Sequence, residues 1–324
     1  MHCAGEEHLA AGAIPSANRT DQMYDVIIIG GGFAGLAAAT QLGRARRNVL
    51  VLDTGKPRNR FAAHAHGFLS RDGAAPSELL AEARRQLETY GTVEIRNAEA
   101  IAASGERDVF SIELASHQQL AARRLIIAHG VTDDTGGIPG MAECWGRTVL
   151  HCPYCHGYEV ADRRLGLMLR EGDIPHLARF FSEWTHDLTL FANGAPVDPV
   201  VRAALTDMKV KLVEEALVRF DHRDGVLQSV VTTAGSTPLD AIFVHAPIQL
   251  ASNIGIQLGC ETKAGMAGDF LLVDHLQQTS IAGVYAAGDA ARPMHNISFA
   301  VADGAGAGVF AHQSLVPTSA APGR

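Results

Sequence analysis

The feature that most constrains this chain is a short apolar run that ends in glycine. Tyr24–Ile29 is β-branched and apolar in the way of a buried parallel strand, and Gly30, Gly32 and Gly35 then satisfy the spacing G-x-G-x-x-G. Residues 36–44 read as the helix that follows. In such a strand–turn–helix unit the first glycine makes the tight turn, the second lets the backbone approach a pyrophosphate, and the third lets helix pack closely on strand. The helix N-terminus then faces the phosphates. The spacing alone is a weak signal, but a second strand at 49–52 ends in Asp53, about where an acid that holds a ribose is expected. The expectation is an α/β dinucleotide-binding fold. Arg58 and Asn59, in the loop after Asp53, are further candidates to touch the cofactor.

A second motif lies more than a hundred residues on: Cys152-Pro153-Tyr154-Cys155-His156-Gly157. Two cysteines separated by two residues can close a small disulfide, and a helix starting there would make the first thiol nucleophilic. Pro153 suits such a start. A zinc site would need a second ligand pair, and Cys3, Cys144 and Cys260 supply no second CxxC, so no metal is expected. Cys-x-x-Cys-His also matches the haem attachment motif, which operates outside the cytoplasm, and no export signal is evident. Glutaredoxin-like domains open with the same Cys-Pro-Tyr-Cys, but here a complete nucleotide-binding motif comes first. A redox pair beside a flavin fits both motifs.

Composition narrows the partners. A net charge of −8 with no basic stripe argues against nucleic acid. No apolar run reaches the eighteen or so residues of a membrane span. Five cysteines, an odd number, do not look like a secreted disulfide framework, so the setting expected is soluble and cytoplasmic. The arginine pairs 46–47, 84–85, 123–124 and 163–164 read as solvated surface, and His64 and His66 as loop residues.

In chain order, residues 1–22, without an apolar stripe, read as a disordered leader or a misassigned start, and His2 and Cys3 as part of it rather than as metal ligands. Ser77 is a plausible N-cap for a helix with Leu79, Leu80, Ala83, Leu87 and Tyr90 on its apolar face. A strand near 125–128 runs back toward the dinucleotide and ends at Gly130. After a glycine-rich linker and the CxxC, 165–169 opens a second strand–turn–helix unit. Its turn, 170–175, has one glycine, a proline and two acids where a nicotinamide dinucleotide needs close approach. The strand 188–191 is not followed by an arginine cluster. Near the end, Gly288-Asp289 closes an apolar strand: the aspartate can hold a ribityl hydroxyl. The small-residue helix 298–312, approached through Asn296 and Ile297, can turn its N-terminus to a flavin carbonyl.

Together these residues resemble the low-molecular-weight thioredoxin reductase family from Tyr24 to about Leu315. The resemblance implies FAD, a homodimer and two Rossmann-like units. The flavin unit is discontinuous, at 23–132 and 247–316, around a nicotinamide-type unit at 133–246 with a degenerate ligand motif, and 317–324 is a tail. His156 stands where the family's reductases have aspartate. The run Cys-Pro-Tyr-Cys-His-Gly-Tyr-Glu instead looks like the branch of dithiol oxidases that close disulfides in natural products such as gliotoxin and holomycin. That branch implies a small-molecule dithiol as substrate and oxygen as acceptor. The residues themselves point to attack at Cys152, to His156 as the base, since imidazole accepts a proton near neutral pH, and to Glu159, three residues along a helix, as its orienting group, while the resemblance places Cys155 next to the flavin. A reductase using NAD(P)H or ferredoxin, and a non-catalytic flavin redox sensor, are the competing readings.

Overall fold

A strand buried on both faces needs two apolar layers to cover it, and the strands of this chain build two sheets on that principle. The computed structural model describes residues 23–168 and 173–317. Expectations for 1–22, for turn residues 170–172 and for the tail from 318 therefore lie outside the described residues.

In the first sheet Tyr24–Ile29 pairs in parallel with Val49–Asp53 on one side and Gln119–Ile127 on the other. Val93–Asn97 extends it beyond Val49–Asp53, while Ala100–Ser104 and Phe110–Leu114 add antiparallel strands. Val284–Ala286, over 150 residues later in the chain, joins in parallel beside Gln119–Ile127. Alternate residues feed two cores. Ile27, Ile29, Leu50 and Leu125 point to one side, and Val26, Ile28, Val51 and Ile126 to the other.

The second side is covered by the helices Phe33–Arg44 and Ile297–Leu315. They meet through glycine: a methyl on Gly308 would stand 2.6 Å from the Ala38 carbonyl oxygen, and one on Gly304 would run into that of Ala34. The first helix starts at Phe33, three residues earlier than expected, and the last extends beyond 298–312 at both ends. Helix Pro76–Leu87 is capped at Ala75 with no side-chain bond, so Ser77 lies inside its first turn. Pro76 sets the start, because its fixed φ and missing N–H suit the first helical position.

The second sheet is wholly parallel and runs Lys211–Val213, Leu188–Phe191, Leu165–Met168, Ala241–Val244, Val149–Leu150. A three-stranded antiparallel ribbon spans 217–238. The chain passes between the sheets at Val131–Asp133 and Ile248–Leu250, which pair antiparallel. Among the described residues no helix is long and apolar enough to cross a membrane.

Candidate active site

Register brings the glycine turn, Gly130 and Asp289 together. Ile29 stands opposite Ile127, which stands opposite Ala286, while Leu52 lies beside Ile29. The residues that follow each of these therefore emerge at one level beyond the carboxyl ends of four parallel strands, where open α/β sheets bind ligands.

The turn is shaped for a ligand to approach. A Cβ on Gly35 would be driven into the Gly30 carbonyl oxygen, and one on Gly31 would lie 2.6 Å from Asp53 Cβ. At Gly32 a Cβ would meet no protein atom within 4 Å. Gly32 is the N-cap of Phe33–Arg44, a helix with no side-chain cap and no acid in its first turn. Its positive end thus opens on free space, as an anion site requires. Beside it, His129 Nδ1 lies 2.9 Å from the Gly130 carbonyl, so that nitrogen carries the proton, and the buried Nε2 has no protein partner. Burial lowers the His129 pKa, keeping Nε2 an acceptor. The open cap and the unpartnered nitrogen fit a dinucleotide with phosphate and hydroxyl groups.

Three residues expected at the cofactor also have partners within the protein. Arg58 Nε and Nη2 grip both oxygens of Asp133, and Nη1 reaches Asp289 Oδ2 at 2.9 Å and His295 Nδ1 at 2.7 Å. Arg58 thus positions Asp289 and ties it to Asp133, beside its expected place in the cofactor site. Asn59 lies in the same 3-10 turn, Arg58–Phe61. Asp53 Oδ2 accepts from Arg84, an arginine read from sequence as free surface. Arg124 corrects the same reading more strongly, being 1% exposed and bonded to Asp108 and Ser314. Finally, Asn296 caps helix Ile297–Leu315 by accepting from Phe299 N at 2.7 Å. Its side-chain oxygen and Ile297 therefore build the helix end.

The CxxC is closed as a Cys152–Cys155 disulfide with Cα atoms 5.3 Å apart. Cys152 is the N-cap of the one-turn helix Pro153–His156, and Tyr154 points out against Phe180 and Trp184. Gly157 is required by this packing, since a Cβ there would lie 2.6 Å from Trp184 Nε1. Two imidazoles, His151 and His156, flank the pair in sequence, and His295 acts electrostatically on His151. His156 is shifted down by burial, against Glu159, which raises it, with His66 adding to the fall. His295 is lowered chiefly by burial too; its Nε2 donates to Arg292 O, leaving Nδ1 to accept from Arg58. His151, immediately before Cys152, is stacked on Trp145 at 5.7 Å and lowered to about 4 by burial and then by Arg58. His151 is an exposed residue, so solvent screens part of this depression. Glu159 departs from expectation. The helix ends at His156, Glu159 falls in the 3-10 turn Tyr158–Val160, and its Oε1 lies 3.4 Å from His66 Nε2.

At the second sheet, Asp173 is the N-cap of helix Ile174–Phe181 and its carboxylate accepts from His176 N at 3.1 Å. Past Leu188–Phe191, Asn193 accepts from Leu217 N, and the nearby Arg202 is held by Glu214.

A family model described as pyridine nucleotide-disulphide oxidoreductase matches residues 24–167 and 187–304. The chain belongs to that family. Thioredoxin reductase tcpT of Claviceps purpurea (strain 20.1) is 32% identical over 309 residues, covering 92% of this chain and 96% of that protein. The crystal structure of the oxidoreductase from Agrobacterium tumefaciens superposes with a TM-score of 0.85 at 40% identity, over 91% of this chain and 99% of that one. The crystal structure of HlmI gives 0.83 at 35% identity, over 90% and 92%. This pyridine nucleotide-disulphide oxidoreductase is thus a thioredoxin-reductase-like oxidoreductase of a flavoprotein family, and its matched segments flank the stretch that carries Asp173.

His151, Arg84, Asp133 and His295 were not singled out from sequence. His151 had a usable signal, a titratable ring next to a redox cysteine. Asp133 and His295 had none, because only the fold brings them to Arg58.

Proposed function

We propose that the chain is an FAD-dependent dithiol oxidase that closes a disulfide in a small-molecule dithiol, with oxygen as acceptor. The observation that carries the reading is the contrast between two helix ends. Phe33–Arg44 presents an open glycine cap, whereas Ile174–Phe181 presents the Asp173 carboxylate and, at Pro175, no N–H. A nicotinamide pyrophosphate at the second would meet a carboxylate where it needs donors. The loss amounts to several kcal/mol, each 1.4 kcal/mol being about tenfold in affinity. The names of relatives favour the alternative, an NAD(P)H-dependent disulfide reductase.

FAD would be held by the Gly30, Gly32 and Gly35 turn, Asp53, His129, Gly130 and Asp289, with Gly288 giving the backbone room. When bound it supplies a two-electron acceptor for the cysteine pair and a donor to oxygen, so that dithiol and O2 become disulfide and hydrogen peroxide. The protein residues do the thiol chemistry. Kept neutral by burial, His156 takes the proton of the first substrate thiol. The thiolate attacks Cys152 Sγ, the Cys152–Cys155 bond breaks, and Cys155 leaves as thiolate. The second substrate thiol then attacks the substrate sulfur of the mixed disulfide and expels Cys152. Substrate leaves oxidised, and the pair holds two electrons. A second copy of the chain and a cytoplasmic setting belong to the same reading; nucleic acid and membrane do not.

Anaerobic mixing of the yellow protein with NADPH, NADH and a generic dithiol in turn tests it. Bleaching by the dithiol, then recovery with peroxide on admitting air, is expected. Fast bleaching by micromolar NADPH would return the chain to the reductases.

A further inference from the structure

We infer that Asp133 and His295 are positioning residues for the flavin site: acting through Arg58 they fix the Asp289 carboxylate, so that the strand on which the chain leaves the first sheet becomes part of the cofactor site. This rests on FAD as the cofactor and needs neither the dithiol nor oxygen.

Segments far apart in sequence meet at one guanidinium. Arg58 stands on the 3-10 turn after Val49–Asp53, and Asp133 ends the crossing strand Val131–Asp133. Asp289 lies in the 3-10 turn Gly288–Ala291, and His295 precedes the last helix. Nε and Nη2 of Arg58 donate to the two oxygens of Asp133, a paired contact that fixes both the place and the plane of the guanidinium. Because that group is a rigid fork, the direction of its third nitrogen is then set. Nη1 carries two N–H groups, one for Asp289 Oδ2 at 2.9 Å and one for His295 Nδ1 at 2.7 Å. His295 can only accept there, since its Nε2 donates to Arg292 O at 2.9 Å. Asp133 therefore decides where Arg58 holds Asp289, and His295 takes up the remaining donor.

Burial ranks the contacts. Side-chain exposure is 7% for Asp133, 16% for Arg58 and 20% for Asp289, so the anchor is the most enclosed member and Asp289 the most open. One cation serves two carboxylates, and of Asp289 it engages Oδ2 alone, which leaves Oδ1 as an acceptor for a ligand hydroxyl. Asp133 is itself fixed by the two crossing strands: Ile248 stands opposite it, and Asp134 N donates to Pro247 O at 2.8 Å. The placing of the crossing strands and the orientation of Asp289 are thus set together.

The test is the FAD affinity of the deflavinated full chain, read by quenching of FAD fluorescence, in a double-mutant cycle. Asp133→Asn is expected to raise Kd about tenfold through loss of the charge-assisted anchor. Arg58→Lys keeps the charge, but one ammonium cannot bridge both carboxylates, and it shares the loss. Adding Asp133→Asn to Arg58→Lys costs little more, because the two residues act through one another. His295→Leu weakens binding, and His295→Asn, whose amide oxygen can accept from Nη1, restores it. Hydrogen exchange supplies a readout on the unaltered chain: saturating FAD slows exchange of the amides at 131–134 and 248–251. In Arg58→Lys at saturating FAD that slowing is lost there and kept at the start of Phe33–Arg44. Affinity of Asp133→Asn within about threefold of wild type, or additive losses in the double variant, overturns the proposal. So does a wild-type chain in which FAD leaves exchange at 131–134 and 248–251 unchanged, a result that requires no variant to fold. A wild-type chain that binds no FAD overturns the cofactor reading itself.

Discussion

Gly32→Asp is expected to stabilise the apoprotein while abolishing FAD binding. Gly32 has φ −79° and ψ −168°, a conformation open to any residue, and a Cβ there meets no protein atom within 4 Å. Aspartate is among the preferred N-cap residues, and its charge complements the helix dipole. Relative to glycine the gain is a few tenths to about 1 kcal/mol. In a chain of this size that is a rise of about 1–3 °C in apo melting temperature. The same side chain would fill the space where a pyrophosphate must lie and set a carboxylate against it. Losing the approach and the dipole together should cost on the order of 3–4 kcal/mol, or about 100- to 1,000-fold in Kd. The substitution copies into the first sheet what Asp173 already does in the second. Thermal unfolding of flavin-free protein measures the first effect, and quenching of FAD fluorescence on titration measures the second. The stabilities must be compared without FAD, because bound ligand stabilises by mass action. Retained FAD affinity within threefold of wild type, or an apo protein destabilised by more than about 1 kcal/mol, would refute the reasoning.

Other outcomes follow from the redox turn. Cys155→Ser should block flavin reduction by dithiols, whereas Cys152→Ser should leave Cys155 as a thiolate beside oxidised flavin, visible as a long-wavelength absorbance band; equal, near-wild-type turnover in both removes the pair from the reaction. His151 has its pKa depressed to about 4 from an ordinary 6.5, so between those values the unfolded chain takes up a proton that the folded chain refuses. Stability should therefore be fully present above about pH 6.5 and fall only modestly toward pH 4, because His151 is exposed and solvent screens its charge. Urea unfolding across that window, compared with His151→Gln, should show a flatter profile in the variant.

Much of this protein was determined by its sequence directly. Tyr24–Ile29, the glycine spacing and Asp53 are local patterns, and a strand, a tight turn and a helix follow from a few adjacent φ/ψ requirements and one apolar period. The same holds for the Cys152–Cys155 pair, three residues apart. What was not legible was long-range. Arg84 reads as one of a surface pair until helix Pro76–Leu87 lays it against Asp53. Glu159 reads as the next turn of a helix until that helix stops at His156 and the hairpin brings His66 to it. Nothing in the sequence around Arg58 shows that Asp133 and Asp289, 75 and 231 residues distant, converge on it. Polar partnerships of this kind carry no periodicity, because one charged side chain satisfies another wherever the strands deliver them. The backbone geometry of the glycine turn is written in neighbouring residues, but the charges that tune the thiol chemistry are assigned only when sheet register and loop packing close the structure.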